Sequence, residues 1–306
     1  MKKFLALVSA FILIFSFSSC GAKHSGEEKL SIVTTIFPAY DFARAVAGDK
    51  AEVTMLIKPG SESHTYEPTP KEAAKIYDAD LFLYNGGEGE KWAENLISSL
   101  STKNVLTMME CTETLTEEIK EGMEIDHGGE AELDEHVWLS LSGAQKIIEK
   151  IAERISEIDP ENADYYENNA KNYISKINEL KEEAKEAVSL GKRKTVIFAD
   201  RFPARYFANE FSLDYYAAFP GCSEESEASA KTMAFLCDKV EELEIPAVFY
   251  IEFSNQKTAD AVCEATGAKK LLFHSCHNVS AVDMEAGITY IDLMRSNIQN
   301  IKEALA

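Results

Sequence analysis

A stretch from Glu161 to Ser189 without a single proline or glycine constrains this chain more than any other feature. Within it Tyr166, Tyr173, Ile177, Leu180, Ala184 and Val188 recur at helical spacing. A helix of that span runs roughly 40 Å at about 1.5 Å per residue. That exceeds what one ordinary domain needs and is enough to pass from one lobe to another. Gly191 ends it, and Lys192, Arg193 and Lys194 follow where the helix macrodipole favours cations. The chain is therefore expected to form one body before this helix and another after it.

Both flanks read as α/β. Before the helix, Ile32 to Ile36, Val53 to Ile57, Leu81 to Tyr84 and Val105 to Met108 are short apolar runs of strand type. They are separated by helical stretches such as Phe42 to Ala47 and Lys71 to Tyr77. After it, Thr195 to Ala199, Tyr215 to Phe219, Ala247 to Ile251 and Lys270 to Phe273 repeat the pattern, and a helix bearing Ile291, Met294, Ile298, Ile301 and Leu305 closes the chain. Strands alternating with helices predict parallel sheets built from βαβ units. The expected fold is thus α/β, two parallel-sheet lobes joined by one long rigid helix. The expected boundaries are 30–160 for the first lobe, 161–190 for the linking helix and 191–306 for the second lobe.

The first 29 residues read differently. Lys2 and Lys3 precede an apolar run from Phe4 to Phe17, followed by Ser18, Ser19, Cys20 and Gly21. The run is short for a membrane span and has the layout of a secretory signal over residues 1–20. A cysteine after two small residues resembles the bacterial lipobox, which makes Cys20 the expected lipidation site. Residues 21–29 then serve as a polar tether. The 306 residues carry a formal net charge of −21, which argues against nucleic acid as a partner. Beyond Cys20, the cysteines at 111, 222, 237, 263 and 276 match no CxxC framework, and their odd number cannot all pair. Cys237 and Cys263 fall at apolar helical positions; Cys222 and Cys276 sit in loops where a disulfide or a soft metal ligand is one alternative.

Histidines in loops carry the chemical signal. His64 lies within PGSESHTYEPTP, a connection pinned by Pro59-Gly60 at one end. At the other, Thr69, Pro70 and Glu72 predict a helix N-cap, first helical residue and capping box. His136 stands in DEHVWLS, beside polar residues rather than on an apolar face. In the second lobe Glu252 ends the strand VFYIEF and His274 ends the next, LLFHSCH. Adjacent parallel strand ends lie about 5 Å apart, so both side chains can face one cavity. Asp200, ending IFAD, and His277 are reserve ligands, each with a loop or capping role as the plain alternative. His24 and His127 are isolated and read as solvated. No GxSxG, HExxH, P-loop or GxGxxG pattern occurs, so no enzyme is expected. Neutral imidazoles with a carboxylate suit borderline divalent cations.

PGSESHTYEPTP, DEHVWLS, the long helix and Glu252 within FYIEFSNQK together resemble the zinc/manganese group of metal-binding lipoproteins of bacterial ABC transporters, from about Leu30 to the C-terminus. The resemblance implies a periplasmic-binding-protein-like architecture of the helical-backbone type, with metal held between the lobes. It implies an extracytoplasmic, lipid-anchored and monomeric receptor, delivering its ion to a permease driven by a separate ATPase subunit. His64 and His136 match the first two histidine positions, and His274 falls on the final carboxylate position. With Glu252 they make the expected ligand set, for Zn2+ ahead of Mn2+. Arg201 occupies a slot that the family fills with a ligand. Two alternatives therefore stand beside the metal receptor: a receptor of the same fold for a non-metal or chelated ligand, and a metal-dependent hydrolase.

Overall fold

The computed structural model describes residues 29–61, 66–101, 104–124, 132–221, 223 and 227–306. His64, His127, Cys20, Cys222, the leader and residues 21–28 of the tether lie outside the described residues. Among the described residues eight strands form two sheets. The first holds β1 (Leu30–Thr34), β2 (Ala51–Met55), β3 (Leu81–Tyr84) and β4 (Val105–Thr107) in the order β2-β1-β3-β4. The second holds β5 (Thr195–Arg201), β6 (Asp214–Phe219), β7 (Ala247–Ile251) and β8 (Lys269–Phe273) in the equivalent order β6-β5-β7-β8. Every pairing is parallel. In each sheet the chain order reverses beside the first strand, and the crevice beyond the strand ends there is where α/β proteins bind ligands.

Among the described residues the first lobe opens with three helices, α1 (Phe37–Ala47), α2 (Pro70–Asp78) and α3 (Trp92–Ile97). Helix α2 starts as its sequence predicts. The Thr69 hydroxyl accepts the Glu72 N–H at 3.3 Å, and the Glu72 carboxylate accepts the Thr69 N–H at 2.8 Å. Strands β1 and β2 begin and end earlier than their apolar runs suggest. Ile36, Leu56 and Ile57 are buried, but Ile36 already caps α1, whose first turn carries Pro38. Main-chain bonds still run past the strand ends, from the Leu56 N–H to the Thr34 carbonyl at 2.8 Å and from the Ile57 N–H to the Thr35 carbonyl at 3.2 Å.

Helix α4 (Leu141–Ile158) leads into the long helix α5 (Ala163–Leu190), of 28 residues. The six residues that mark α5 in the sequence are all buried. It packs on α1 and α4 of the first lobe and on α10 (Tyr290–Ala304), which closes the chain. Between them run α6 (Arg205–Phe211), α7 (Ala230–Glu242), α8 (Lys257–Thr266) and α9 (Ala281–Ala286). Among the described residues no helix is long and apolar enough to cross a membrane.

Alternate strand residues feed different cores, as the two-residue period demands. Ile32 and Leu81 of the first sheet share one continuous core with Phe198, Phe249 and Phe273 of the second. Their neighbours Val33 and Phe82, and Ile197 and Val248, point the other way into two smaller cores, one per lobe. The apolar interior therefore does not stop at the lobe boundary.

Asp41 on α1 ties three helices across that boundary. It is buried, accepts the Tyr173 hydroxyl of α5 and the Tyr290 N–H of α10 at 3.0 Å, and pairs with Arg44 at 2.7 Å. Arg44 in turn donates to the Ile288 carbonyl at 2.7 Å. Replacing this carboxylate strands a buried hydroxyl and an N–H. We expect Asp41→Ala to lower unfolding free energy by about 2–4 kcal/mol, read as a shift of the urea midpoint. Asp41→Asn should cost less, because its amide oxygen still accepts one of these donors.

Candidate metal centre

His136 precedes a tight 3-10 turn, Val137–Leu139, that delivers the chain into α4. Asp134, itself buried, fixes its ring. One carboxylate oxygen accepts the His136 main-chain N–H at 2.8 Å and lies 3.0 Å from Nδ1. A carboxylate at that distance keeps the hydrogen on Nδ1, which leaves the lone pair on Nε2, the arrangement found behind metal-ligating histidines. Tyr206 holds Asp134 from below, its hydroxyl donating to the Asp134 carbonyl at 2.7 Å and accepting the Leu115 N–H at 2.9 Å. The long acidic segment before His136 is closed by main-chain bonds from Glu117 to Glu132 and from Asp134 to Leu115, each 2.8 Å.

Facing this turn is the segment His274-Ser275-Cys276-His277 after β8. Its shape comes from internal hydrogen bonds. The Cys276 N–H donates to His274 Nδ1 at 2.9 Å, and the His277 N–H to the Ser275 hydroxyl at 3.2 Å, with Cys276 in the left-handed region at φ 61°. Asn297 of α10 brackets His274, accepting its N–H at 2.7 Å and donating to its carbonyl at 2.8 Å. Glu252, one residue beyond β7, accepts the Ser275 N–H at 2.7 Å and its hydroxyl.

These turns enclose a cavity of about 240 Å³ between the lobes. It is lined by His136, His277, Glu252, Arg201, Ser275 and Phe253, with Gly60, Ser61 and Asn278 at the first-lobe edge. The His136 and His277 rings stand 5.9 Å apart, nearly perpendicular, and both pack on Trp138. Gly221 sits behind His136: an added Cβ would come within 2.7 Å of the Phe202 carbonyl oxygen and 3.3 Å of the His136 ring.

The expected residues therefore fall in different places. His136 and Glu252 line the cavity, and His277, read as a reserve, lines it with them. His274 does not. Its Nδ1 accepts a main-chain hydrogen bond inside the turn, so the neutral ring carries its hydrogen on Nε2 and has no lone pair to offer a cation. Asp200 is buried behind the cavity and joins strand ends, accepting the Arg201 N–H at 2.8 Å and the Ile251 N–H at 3.3 Å. Cys276 is a buried free thiol, 3.8 Å from the Met294 sulfur, and forms no disulfide. Among the described residues no three imidazole, thiol or carboxylate groups converge closely enough to hold a metal. The loop that carries His64 opens at the cavity edge through Gly60 and Ser61. The orienting role of Asp134 was legible only as an acid two residues before a histidine.

The family model for the periplasmic zinc-uptake complex component A, ZnuA, matches residues 32–304. The chain belongs to this family. It is 33% identical over 309 aligned residues to the zinc-binding lipoprotein AdcA of Streptococcus pneumoniae, covering 99% of this chain but 61% of that protein. The chain thus spans about three fifths of that relative's length. The high-affinity zinc uptake system protein ZnuA of Bacillus subtilis is 31% identical, with 98% of this chain and 96% of the relative covered. Among solved structures, the Zn(II)-bound ZnuA-like domain of the S. pneumoniae AdcA matches with a TM-score of 0.75 and 33% identity, over 90% of this chain and 99% of that domain. Two parallel-sheet lobes on a helical backbone are therefore the ZnuA-like fold.

Two further carboxylates lie behind the first-lobe edge of the site. Glu90 is buried and accepts the Asn85 and Gly86 N–H groups at 2.7 and 3.0 Å. Burial pushes its carboxyl up to about 7, hydrogen bonds oppose the rise, and nearby Glu135 adds to it. Glu135 is raised by burial as well, while accepting the Gly89 N–H at 2.9 Å. Gly87, at φ 87°, lets the main chain pass against that carboxylate, where a Cβ would sit 2.5 Å from its oxygen. A raised carboxyl means that the folded state holds its proton more tightly than the unfolded chain. Stability then falls as pH rises from about 4.5 to about 7, by about 3 kcal/mol at most. Glu90→Gln should abolish that slope, raising the midpoint of chemical unfolding at pH 8 and leaving it unchanged near pH 4.5.

Proposed function

We propose that this chain is the extracytoplasmic receptor of a zinc uptake system. It captures Zn2+ in the cleft between its lobes and passes it to an ABC permease powered by a separate ATPase subunit. The observation that carries this reading is the His136 imidazole, its tautomer fixed by Asp134, facing His277 across an inter-lobe cavity that Glu252 also lines. Membership in the ZnuA family and the names of the zinc-binding relatives support it. The proposed ligands are His64, His136 and His277, with Glu252 as the acidic neighbour that offsets the ion's charge. His274 is assigned to the turn and Asp200 to the strand ends. Imidazole-rich donors suit zinc, and Mn2+ is the competing cargo because affinity order alone does not set selectivity in the cell. Cys20 is the proposed lipid anchor, with residues 21–29 as tether.

No residue needs a catalytic role in this reading. The chain binds, desolvates and releases an ion, and the energy for transport comes from the partner ATPase.

Zinc affinity measured by competition with a fluorescent chelator tests the ligand set. We expect His136→Ala and His277→Ala each to weaken zinc binding by at least about 100-fold, and Asp134→Asn by about 10–100-fold. His274→Ala should leave zinc affinity within about threefold yet lower the melting temperature, because the Cys276 N–H loses its acceptor. The reverse pattern, zinc lost with His274 and kept without His277, would overturn the assignment.

A further inference from the structure

Arg201 introduces a fixed positive charge into the cavity that holds the histidines. It ends β5 at a register shift between Phe198 and Arg201, an irregularity of the kind that re-aims a strand's side chain. Among the described residues no carboxylate lies within ion-pair distance of it, and its side chain makes one long contact, 3.4 Å to the Ser223 carbonyl. Among the described residues, the acid beside it in the chain and the acid on its cavity are committed elsewhere. Asp200 gives its oxygens to the Arg201 and Ile251 N–H groups, and Glu252 gives both of its own to Ser275. A bare divalent cation placed beside the imidazoles would be repelled by this charge.

Two features of the cavity bear on what resolves the repulsion. Its volume, about 240 Å³, is several times one water's share of about 30 Å³ and far more than a bare ion fills. Phe253 lines the same cavity, is 56% exposed, and is held at φ 60°, a conformation that is costly for a bulky side chain. A charged fork and an open aromatic face on one cavity describe a site for a carboxylate with an organic body.

We propose, resting on the zinc reading above, that the cleft takes the metal together with a small organic carboxylate. The guanidinium of Arg201 grips the carboxylate, one oxygen of the anion completes the coordination of the ion, and Phe253 covers its carbon skeleton. The anion is attracted to both cations, so the repulsion between metal and arginine becomes cohesion. The ligand delivered to the permease is then a metal–carboxylate complex.

The test is zinc affinity of the full mature chain at buffered free zinc, in chloride alone, with citrate, and with bicarbonate. Wild type is expected to bind zinc at least about tenfold more tightly in saturating citrate. Arg201→Gln should lose that enhancement, and Arg201→Lys should regain only part of it because a point charge lacks the fork. Isotope-labelled citrate should remain with the wild-type protein through desalting only when zinc is present, and Phe253→Ala should weaken its retention. Anion-independent zinc binding by wild type, with Arg201→Gln binding as tightly or more so, overturns the proposal and leaves the zinc reading standing. Enhancement by bicarbonate equal to that by citrate, indifferent to Phe253→Ala, overturns the organic class. Failure of wild type to bind zinc in any of the three media sinks the zinc reading and this proposal together. Melting curves of each variant exclude unfolding as the cause.

Discussion

The indole N–H of Trp138 donates to the Ser275 carbonyl at 2.8 Å, a buried bond that joins the two lobes at the centre of the site. Trp138 belongs to the turn that presents His136, and Ser275 to the turn that presents His277. The same tryptophan is gripped from behind, its carbonyl accepting the Tyr290 hydroxyl at 2.6 Å. Remove the indole and both turns lose their common wall, because both histidine rings pack on it. Around it the lobes are stitched further: Phe37 N–H to the His277 carbonyl at 3.1 Å, Gly60 N–H to the Val279 carbonyl at 2.8 Å, and the Asn278 amide to the Lys58 and Ser61 carbonyls, each 2.8 Å. Backbone groups that would otherwise be orphaned in a cleft are satisfied across it. Ligand geometry and lobe packing are consequently not separable properties in this chain.

Charge arrangement follows from the sheets. In each sheet the strand order reverses beside the first strand, and in the second lobe that places Arg201 and Glu252 at neighbouring strand ends. Main-chain N–H groups there must find acceptors, and Asp200 supplies them. An acid that looked available for metal is therefore consumed in holding β5 to β7. Glu252 is partly consumed in the same way by Ser275. The cavity is left richer in imidazole and guanidinium than in free carboxylate, despite a chain charge of −21. Net charge describes the surface that a cation approaches; it does not describe the few ångströms where the cation rests.

The fold was legible in the sequence because its signals are local and redundant. The gap in proline and glycine marked α5, strand-type runs alternating with helical ones marked both sheets, and Thr69-Pro70-Glu72 marked the start of α2 correctly. The site was legible only to the level of segments. His136 announced itself by its polar loop, and His274 and His277 were both visible in one tetrapeptide. Which of the two faces the cavity depends on hydrogen bonds that close the turn: Cys276 N–H to His274 Nδ1, and Asn297 bracketing the same residue from α10. Asn297 lies 23 positions away, and no periodicity in the sequence points to it. Asp200 misled for a related reason, since its partner is a main-chain N–H on a strand paired only in three dimensions.

The shared core sets how the proposed receptor can release an ion. Lobes of a hinge-closing protein meet across a polar, wet cleft and keep separate interiors, so that opening exposes little apolar surface. Here Ile32 and Leu81 lie in one core with Phe198, Phe249 and Phe273, and α5 packs on helices from both sides. Wide opening would expose that core to water at about 25 cal/mol for each Å². A few hundred Å² would already rival the stability of a whole domain, commonly 5–15 kcal/mol. Movement is cheaper at the cavity rim, where Gly60, Ser61 and Gly221 line it without belonging to a strand or a helix. Displacing the chain at these rim residues opens the site while the core stays closed, so local movement of the rim, not lobe separation, is the release route that this packing favours.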